Sequence, residues 1–365
     1  MKWTPGRLAL VTAAVLVTLV AVGVGYVVHQ DSGTVSNPPA TQTTPVPSQT
    51  PSAGASPSPA LPTLVPGNPL TITAKPSPTK KPPKKRKPHK KPEPPPVLEF
   101  RLTTFNMLGS SHTSRSGKRP GMASGRVRAG RAAILLARHA TDVAGFQELQ
   151  GDQLAAMQRH TSMDFYPGFS LRRRDSENSI GWRRDKFVAV ERRTVTIPYF
   201  NGHGRAMPYV RLKNLDTGLE AWFANFHNPA DTRQYHHQQR YRTRATAIEV
   251  DLANRLMRTG LPVFITGDMN ERDSYFCRLT AGAPMVAARG GSHSGGCRPG
   301  NPRAVDWIFG SQGVTFSGYA EDRSHLVDIT TDHPVISSTV TVDPARLPRA
   351  WATTPPPPVV PKVTY

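Results

Sequence analysis

The sequence has little cysteine for a chain of its length. Among 365 residues, only Cys277 and Cys297 are cysteines. A metal site built from both and His293 is not favoured, because no fourth ligand is evident. In an exported domain an even cysteine count favours a disulfide, here one that closes a Gly/Ser-rich loop, and two free thiols are the alternative.

Acidic side chains are also scarce, and the chain is strongly basic. Lys and Arg number 46 against 25 Asp and Glu, which gives a formal net charge of +21. Nine of the positive charges lie between Lys75 and Lys91, so about +12 (21 − 9) belongs to the remainder. This balance favours a polyanionic partner, either nucleic acid or an anionic surface. The alternative is a compositional preference for Arg that has no role in binding.

Charge is absent from Leu8–Val28, a Val/Ala/Leu-rich run of 21 residues that is long enough to cross a bilayer. Lys2 and Arg7 precede the run, and Asp31 is the first charge after it. This asymmetry predicts a signal anchor with a cytoplasmic N-terminus, an extracellular bulk and a cell-membrane location. A cleaved signal peptide is the alternative, although Gly25–His29 offers a poor cleavage site.

The segment 29–97 lacks aromatic residues and has few large apolar ones, so it cannot build a core. It is rich in Pro, Thr and Ser and then in Lys and Pro, which predicts a disordered, semi-extended linker. The cluster Lys75–Lys91 could bind anionic wall polymers, lipid head groups or nucleic acid; the alternative is a solvated spacer. The Pro-rich tail, 346–365, is predicted to be disordered.

Most of the 37 prolines lie outside 98–345, where regular apolar periodicity predicts one large domain. Alternation and short apolar runs predict strands at Leu98–Asn106, Asp142–Phe146, Ser179–Arg183, Phe187–Ile197, Met207–Lys213, Leu219–His227, Pro262–Thr266, Ala304–Phe309, Val314–Phe316 and Val335–Val342. Helical spacing predicts helices at Val127–His139 and Gln153–Arg159. The absence of Gly and Pro predicts one long helix at Arg233–Arg258.

Polar residues stand beside many of these apolar runs: Asn106, Glu148, His227, Asp268, Asn270, Asp306, Asp332 and His333. Asp268 and Asn270 are two residues apart after an apolar strand, and an extended backbone would point both side chains the same way. Singly, each residue also fits a turn or a cap. Together, acids, His and Asn at strand ends favour metal-assisted hydrolysis of a phosphate ester, because carboxylates hold a hard cation and His and Asn neutralise phosphoryl oxygens.

Six short motifs carry a resemblance to a known family: Thr104-Phe105-Asn106, Gln147-Glu148, His227, Gly267-Asp268-Met269-Asn270, Asp306-Trp307-Ile308-Phe309 and Thr331-Asp332-His333-Pro334-Val335. Their order and spacing resemble the endonuclease/exonuclease/phosphatase superfamily. This superfamily includes DNase I-like nucleases, apurinic endonucleases, sphingomyelinases and inositol-polyphosphate phosphatases. The likeness covers roughly residues 98–343 and implies an α/β fold, a four-layer α/β/β/α sandwich of the DNase I-like type. The family's usual Thr-His is Phe226-His227 here, and its usual Ser before Asp-His is Thr331.

The resemblance also implies a divalent metal, Mg²⁺ or else Mn²⁺ or Ca²⁺. Glu148 would be its main ligand, with Asn106 and Asp332 near it. Arg205 would contact the substrate phosphate, although Arg211 lies close by in sequence and is the alternative.

The remaining roles implied by the resemblance concern the reaction itself. Asp268 would position or activate the attacking water, Asn270 would hold the phosphate and His227 would contact the scissile phosphate. Asp306 would pair with His333 and fix its tautomer. Which of Asp268 and His333 deprotonates the water stays open.

Three functions follow as hypotheses. The first is a membrane-anchored, extracellular, Mg²⁺-dependent phosphodiesterase, specifically a nuclease; Arg172–Arg174 and Arg183–Arg184 would suit a polyanion. The second keeps the chemistry but takes a phospholipid head group or another small phosphoester, as sphingomyelinases do. The third is a non-catalytic cell-wall-binding protein that uses the Lys75–Lys91 cluster.

Overall fold

The computed structural model describes residues 96–300 and 305–348. These residues contain twelve strands: β1 Leu98–Asn106, β2 Val143–Gln147, β3 Met163–Tyr166, β4 Ser179–Arg183, β5 Phe187–Pro198, β6 Gly204–Asn214, β7 Glu220–His227, β8 Val263–Asp268, β9 Met285–Ala287, β10 Asp306–Ser311, β11 Val314–Asp322 and β12 Val335–Val342. The same residues contain six α-helices: α1 Gly125–Arg138, α2 Gly151–His160, α3 Arg173–Ser176, α4 Gln239–Met257, α5 Asp273–Gly282 and α6 His325–Asp328.

The predicted anchor, the linker up to residue 95 with its Lys75–Lys91 cluster, and the tail beyond residue 348 lie outside the described residues. They stay predictions. Among residues 96–300 and 305–348, no helix is both long and apolar enough to cross a membrane.

Two six-stranded sheets stack face to face. The first has the order β11-β12-β1-β2-β4-β3 and the second β5-β6-β7-β8-β10-β9. Apolar side chains from both sheets form one buried cluster between them, in which the Phe100 ring packs edge-on against Phe223 and Phe264 at centroid distances of 5.6 and 5.4 Å. The predicted mixed α/β fold with two sheets is confirmed.

Helices cover the outer face of each sheet. On the first sheet, α1 buries Ala129, Ala132 and Leu135, which recur at helical spacing and join a second core cluster with strand residues such as Phe105. On the second sheet, α4 and α5 belong to a third cluster. The layers therefore run helix, sheet, sheet, helix, as the four-layer sandwich requires.

The long helix predicted at Arg233–Arg258 is wrong at its start, because α4 begins at Gln239. The Tyr235 ring instead stacks on Phe200, with centroids 4.4 Å apart and an interplanar angle of 11°. His237 has a φ of 57°, which is incompatible with a right-handed helix. A tertiary contact thus overrides a segment that has no local helix breaker.

Other boundaries shift by a few residues. Strand β12 coincides with the predicted Val335–Val342, whereas β11 runs beyond the predicted Val314–Phe316 to Asp322, because it pairs with β12 across a bulge. The strand predicted at Ala304–Phe309 begins at Asp306. Strands β3 and β9 and helix α5 were not predicted.

A buried polar network fixes the two sheets against each other. Gln147 Nε2 of the first sheet donates to Asn225 Oδ1 of the second at 2.7 Å, and Asn225 Nδ2 donates back to the Phe146 carbonyl at 2.7 Å. At Gly145 a Cβ would lie 2.0 Å from Thr266 Oγ1. This position therefore requires glycine for close approach, and the sheets meet with one defined alignment.

Cys277 on α5 forms a disulfide with Cys297, with the Cα atoms 5.6 Å apart. The predicted disulfide is confirmed, and free thiols or a metal site with His293 are excluded.

Because the bridge closes a 20-residue separation, we expect the double variant Cys277→Ser/Cys297→Ser to lose about 3 kcal/mol of unfolding free energy. Urea denaturation measures this loss. Reducing agent should destabilise the wild type and leave the variant unchanged; equal stability of the two oxidised proteins would contradict the expectation.

Helix α4 carries a fully buried carboxyl, Glu249. The Tyr275 hydroxyl donates to its Oε2 at 2.7 Å. Within the described part of the chain, Glu249 Oε1 and Asn228 Oδ1 are buried without a hydrogen-bond partner. Burial raises the pKa of Glu249 to about 7, although the hydrogen bond from Tyr275 opposes the shift.

This raised pKa predicts a stability that falls with pH. Between the ordinary pKa of 4.5 and about 7 the folded state holds a proton that the unfolded state has lost, so folding weakens as pH rises through that window. We expect Glu249→Gln to remove about 3 kcal/mol of this pH dependence, leaving the variant more stable than the wild type at pH 8. Urea denaturation from pH 4.5 to pH 8.5 tests this, and parallel stability profiles for the two proteins would refute it.

Candidate active site

Three polar residues lie side by side on three neighbouring strands of the second sheet, at the same edge of that sheet. His227 lies opposite Asp268 in the parallel pair β7–β8, and Asp306 lies opposite Asp268 in the antiparallel pair β8–β10. Asp306 begins its strand rather than following an apolar run, and it reaches this edge because β10 runs against β8. All three side chains are buried.

The first sheet contributes a second group at the same edge. Asn106 is the last residue of β1, and Glu148 directly follows β2 with a φ of 56°. Asp332 and His333 precede β12, which reaches this edge because it is antiparallel to β1. Thr331 Oγ1 donates to the Asn106 carbonyl at 2.7 Å and so ties the two chain segments together.

A buried arginine that was not predicted fixes the chain segments next to Asn106 and Asp332. Arg128 on α1 is fully buried, and its guanidinium donates to the carbonyls of Met107, Leu108 and Thr330. These carbonyls belong to the segments that follow Asn106 and precede Asp332. The arginine therefore holds both segments in place. Arg residues in helices are common on surfaces, so the sequence alone gave no signal for this role.

Asn106 joins the two halves of the site. Its Nδ2 donates to Glu148 Oε1 at 3.2 Å and to Asp268 Oδ2 at 3.1 Å, while its Oδ1 accepts from the Leu108 amide at 2.9 Å. The amide nitrogen, rather than the oxygen, therefore faces the two carboxylates. Direct ligation of a metal by Asn106 would require its amide group to turn over.

His333 and Asp306 form the predicted carboxylate–imidazole couple. His333 Nδ1 lies 3.1 and 3.0 Å from the two Asp306 oxygens, and His333 Nε2 lies 3.7 Å from Asp268 Oδ2. Burial alone would lower the pKa of His333, but the charges of Asp306 and Asp268 and the hydrogen bond to Asp306 raise that pKa well above its ordinary value. The two carboxylates therefore favour the protonated form of His333.

His227 approaches Asp268 from the other side. Its Nε2 lies 3.6 Å from Asp268 Oδ2, and its Nδ1 lies 3.4 Å from the Tyr199 hydroxyl. Burial raises the pKa of Tyr199 far above its ordinary value, so the phenol stays protonated and can donate to Nδ1. In that tautomer Nε2 carries a proton and can act as a donor.

Among the carboxylates of the site, that of Glu148 could hold a metal ion. His112 Nε2 lies 3.1 Å from its Oε2, which also accepts from the Gly109 amide at 3.0 Å. Burial would raise the pKa of Glu148, but the hydrogen bond from His112, the charge of His112 and the Gly109 amide hold it far below its ordinary value. The carboxylate is thus ionised and about a quarter exposed, at 23%, and as a hard oxygen donor it fits a divalent cation.

A second cluster within the described residues, Asp268, Asp306 and His333, places one ligand atom from each within 4.8 Å of the others. A histidine ligates a metal only when neutral. Because these two carboxylates favour the protonated form of His333, a proton would compete with a metal ion for this cluster. Asp332, the other residue predicted near the metal, pairs with Arg119 at 3.2 Å and shares a cavity of about 270 Å³ with Glu148.

Asn270 lies in the turn that follows β8, so the extended backbone expected between Asp268 and Asn270 is not formed. Its φ of 49° shows that the chain turns after Asp268. The pair is linked differently, because the Asn270 amide donates to Asp268 Oδ1 at 2.9 Å. Asn270 Nδ2 donates to the Asn228 carbonyl at 2.8 Å, which leaves one N–H of this group for a ligand.

These side chains open into one cavity of about 510 Å³, hereafter the central cavity. Its lining includes Glu148, His227, Asp268, Asn270, His333 and Arg205. Arg205 Cζ lies 4.4 Å from the centre of the Tyr199 ring, and its Nη1 donates to the Arg174 carbonyl at 2.8 Å. Arg211 instead pairs with Glu220 at 3.0 Å and with Glu191 at 3.3 Å. The structure therefore brings Arg205, and not Arg211, to the site.

Five residues that line the central cavity were not predicted from the sequence. The predicted arginines differ in their position relative to the site. His112, Lys118, Tyr199, Phe200 and Tyr235 line the central cavity. They lie in loops without periodicity or at a strand end, where sequence patterns carry no signal. Arg183 and Arg184 pair with Asp185 and Asp164. Only the other predicted group, Arg172–Arg174, lines a cavity next to the site.

Comparisons with known proteins identify the family. The model of the endonuclease/exonuclease/phosphatase family matches residues 103–333, and the chain belongs to this family. Members are phosphoester hydrolases that generally depend on a divalent metal, so the protein is a metal-dependent phosphoesterase. None of the curated proteins compared with the chain matches it.

Solved structures show the same fold at low identity. A family member from Bacteroides thetaiotaomicron is 16% identical with a TM-score of 0.55, over 69% of this chain and 98% of that chain. The mannosyl-6-phosphatase of Bacteroides thetaiotaomicron VPI-5482 is 18% identical with a TM-score of 0.52, over 66% and 99%. The human Nocturnin catalytic domain with bound sulfate is 13% identical with a TM-score of 0.50, over 68% and 99%.

Proposed function

We propose that the protein is a nuclease that hydrolyses phosphodiester bonds of nucleic acid with Mg²⁺. One observation carries the proposal: Asp268 lies between two histidines, 3.6 Å from His227 and 3.7 Å from His333, beside the ionised Glu148. This arrangement offers a base, two donors and a cation ligand around one point of the central cavity. Mn²⁺ or Ca²⁺ would use the same oxygen donor.

Glu148 would hold the metal ion, which supplies Lewis-acid stabilisation of the phosphoryl oxygens when bound. Asp268 accepts a proton from the attacking water as the water oxygen bonds to phosphorus and the bond to the leaving oxygen breaks. His333 suits the opposite task. In its protonated form it cannot accept that proton, but it can donate a hydrogen bond to a phosphoryl oxygen as negative charge develops.

The remaining donors orient the phosphate. His227 Nε2 and the free N–H of Asn270 face the cavity beside Asp268. Arg205 adds a fixed guanidinium on the far wall. Guanidinium and imidazole donors together recognise a phosphodiester, whose charge they offset in a partly enclosed site.

The basic surroundings favour a polyanion as substrate. Lys118 and Arg233 also line the central cavity, and the chain as a whole carries +21. Phosphate contacts dominate the affinity of proteins for nucleic acid, and each such contact needs a cation. A small phosphoester offers only one or two phosphates and would leave most of these cations without a partner.

The purified protein should degrade single-stranded DNA, duplex DNA or RNA with Mg²⁺ and should lose this activity in EDTA. A substrate panel that includes sphingomyelin vesicles and sugar phosphates separates the candidates. Release of phosphocholine or inorganic phosphate from the small substrates, with nucleic acids left intact, would favour the small-phosphoester hydrolase. Inactivity on the whole panel would favour the non-catalytic binding protein.

A further inference from the structure

Next to the central cavity lies a second one of about 390 Å³, hereafter the arginine cavity. Its lining includes Arg172, Arg173, Arg174 and His203. Four further residues line both cavities: Tyr199, Phe200, Arg205 and Tyr235. The two cavities are therefore neighbours that share one wall.

The chain segment that carries Arg172–Arg174 is fixed, while the charges of these three residues are not neutralised. Arg205 Nη1 donates to the Arg174 carbonyl at 2.8 Å, and the Ala206 amide donates to Asp175 Oδ1 at 3.2 Å, so hydrogen bonds between side chains and backbone tie the segment around α3 to β6. The nearby Glu177 is paired with Arg205. In residues 96–300 and 305–348, no ion pair involves the side chains of Arg172–Arg174, which are exposed.

The shared wall is aromatic. Phe200 and Tyr235 are stacked, with ring centroids 4.4 Å apart and an interplanar angle of 11°, and both rings are half-buried. A planar aromatic surface beside a row of cations matches a nucleotide, which has a flat base and a charged phosphate. Base–aromatic stacking is a common, sequence-tolerant way of binding single strands.

We propose that the arginine cavity is a second nucleotide-binding site, which takes the phosphate and base next to a scissile phosphate bound in the central cavity. Arg172–Arg174 bind the phosphate, and the Phe200–Tyr235 pair stacks with the base. This inference rests on the proposed nuclease function and extends it to the form of the substrate. A duplex keeps its bases stacked inside and would leave the aromatic pair unused, so the preferred substrate is a single strand.

Binding of a single-stranded oligonucleotide, measured in the absence of cleavage, tests the contribution of Arg172–Arg174. A fluorescein-labelled single-stranded 12-mer is titrated with the full-length protein in EDTA, and fluorescence anisotropy gives Kd. Arg172→Ala/Arg173→Ala/Arg174→Ala should raise Kd at least tenfold and reduce the slope of log Kd against log salt by about 0.7 for each lost phosphate contact. The control is Arg126→Ala/Arg159→Ala/Arg244→Ala, which removes the same charge from exposed helix positions. It should change Kd less than threefold.

The contribution of the Phe200–Tyr235 pair is tested with two variants of Tyr235. Tyr235→Ala should raise Kd for the 12-mer about tenfold, because one stacking surface is lost. Tyr235→Phe keeps the ring and should restore the wild-type Kd. A duplex 12-mer should show no such difference between the two variants.

The results of these experiments distinguish failure of the second nucleotide-binding site from failure of the proposed nuclease function. If the wild type cleaves single strands but the cavity and control triple variants bind the 12-mer equally, the second site is refuted and the nuclease stands. If Tyr235→Ala weakens duplex and single strand alike, the single-strand preference is wrong. If the wild type cleaves no nucleic acid with Mg²⁺, the nuclease proposal fails, and the second site fails with it.

Discussion

Asp268→Asn is expected to lower kcat for phosphodiester hydrolysis by about a thousandfold, with little change in KM. Asparagine has nearly the same shape and can still accept the hydrogen bond that the Asn270 amide gives to Asp268 Oδ1. It cannot take a proton from water, which is the task assigned to this buried carboxylate. Steady-state kinetics on an oligonucleotide at saturating Mg²⁺ give both constants.

A matched control lies elsewhere in the domain. Asp322 also contacts a histidine, His139, at 2.9 Å, but on strand β11 and away from the cavity lining. Asp322→Asn should leave kcat within about twofold. If Asp268→Asn keeps more than a tenth of the wild-type kcat, proton transfer by Asp268 is wrong and another group must take the proton.

Glu148→Gln is expected to reduce activity at a fixed, subsaturating Mg²⁺ concentration by about a thousandfold, since the main anionic ligand of the metal is lost. The amide still accepts from the Gly109 amide, so the loop keeps one of its contacts. Metal titration should show a midpoint shifted to much higher concentration. Activity and isothermal titration calorimetry with Mg²⁺ measure the two effects separately.

Asp152→Asn is the control for the lost charge. Asp152 lies on α2, close in sequence to Glu148, and accepts from the Ser110 hydroxyl rather than facing the cavity. We expect a nearly unchanged Mg²⁺ midpoint for this variant. An unchanged midpoint in Glu148→Gln as well would remove Glu148 from the metal site.

Much of the fold followed from the sequence because the buried strands carry their own signal. Val335–Val342 is dominated by β-branched residues and was bounded correctly, since its side chains are buried on both faces of a central strand. The start of α4 was missed for the opposite reason. Arg233 to Gln238 have no helix breaker, and the stack of Tyr235 on Phe200 depends on residues far away in the chain.

Some residues of the site were likewise predicted from the sequence, and others were not. Asn106, His227 and Asp268 were found because each terminates a strand, and Asp306 because it stands beside an apolar run; sheet pairing brings these strand ends to a common edge. The left-handed backbone at Asn270 was not predicted, because it is decided by local hydrogen bonds rather than by periodicity. His112 was missed because it lies in a Gly/Ser/Arg-rich loop, where no pattern distinguishes one polar residue from another.

The pairing of β1 with β12 has a consequence for synthesis. Strand β1 lies between β2 and the last strand, β12, so the first folded segment of the domain lacks one neighbour until the final segment has been made. Asn106 and His333 belong to these two ends, 227 residues apart (333 − 106). A chain that ends before residue 333 lacks β12 and His333, so it leaves one edge of β1 unpaired and the site without that imidazole. The site is therefore complete only when β12 is paired with β1.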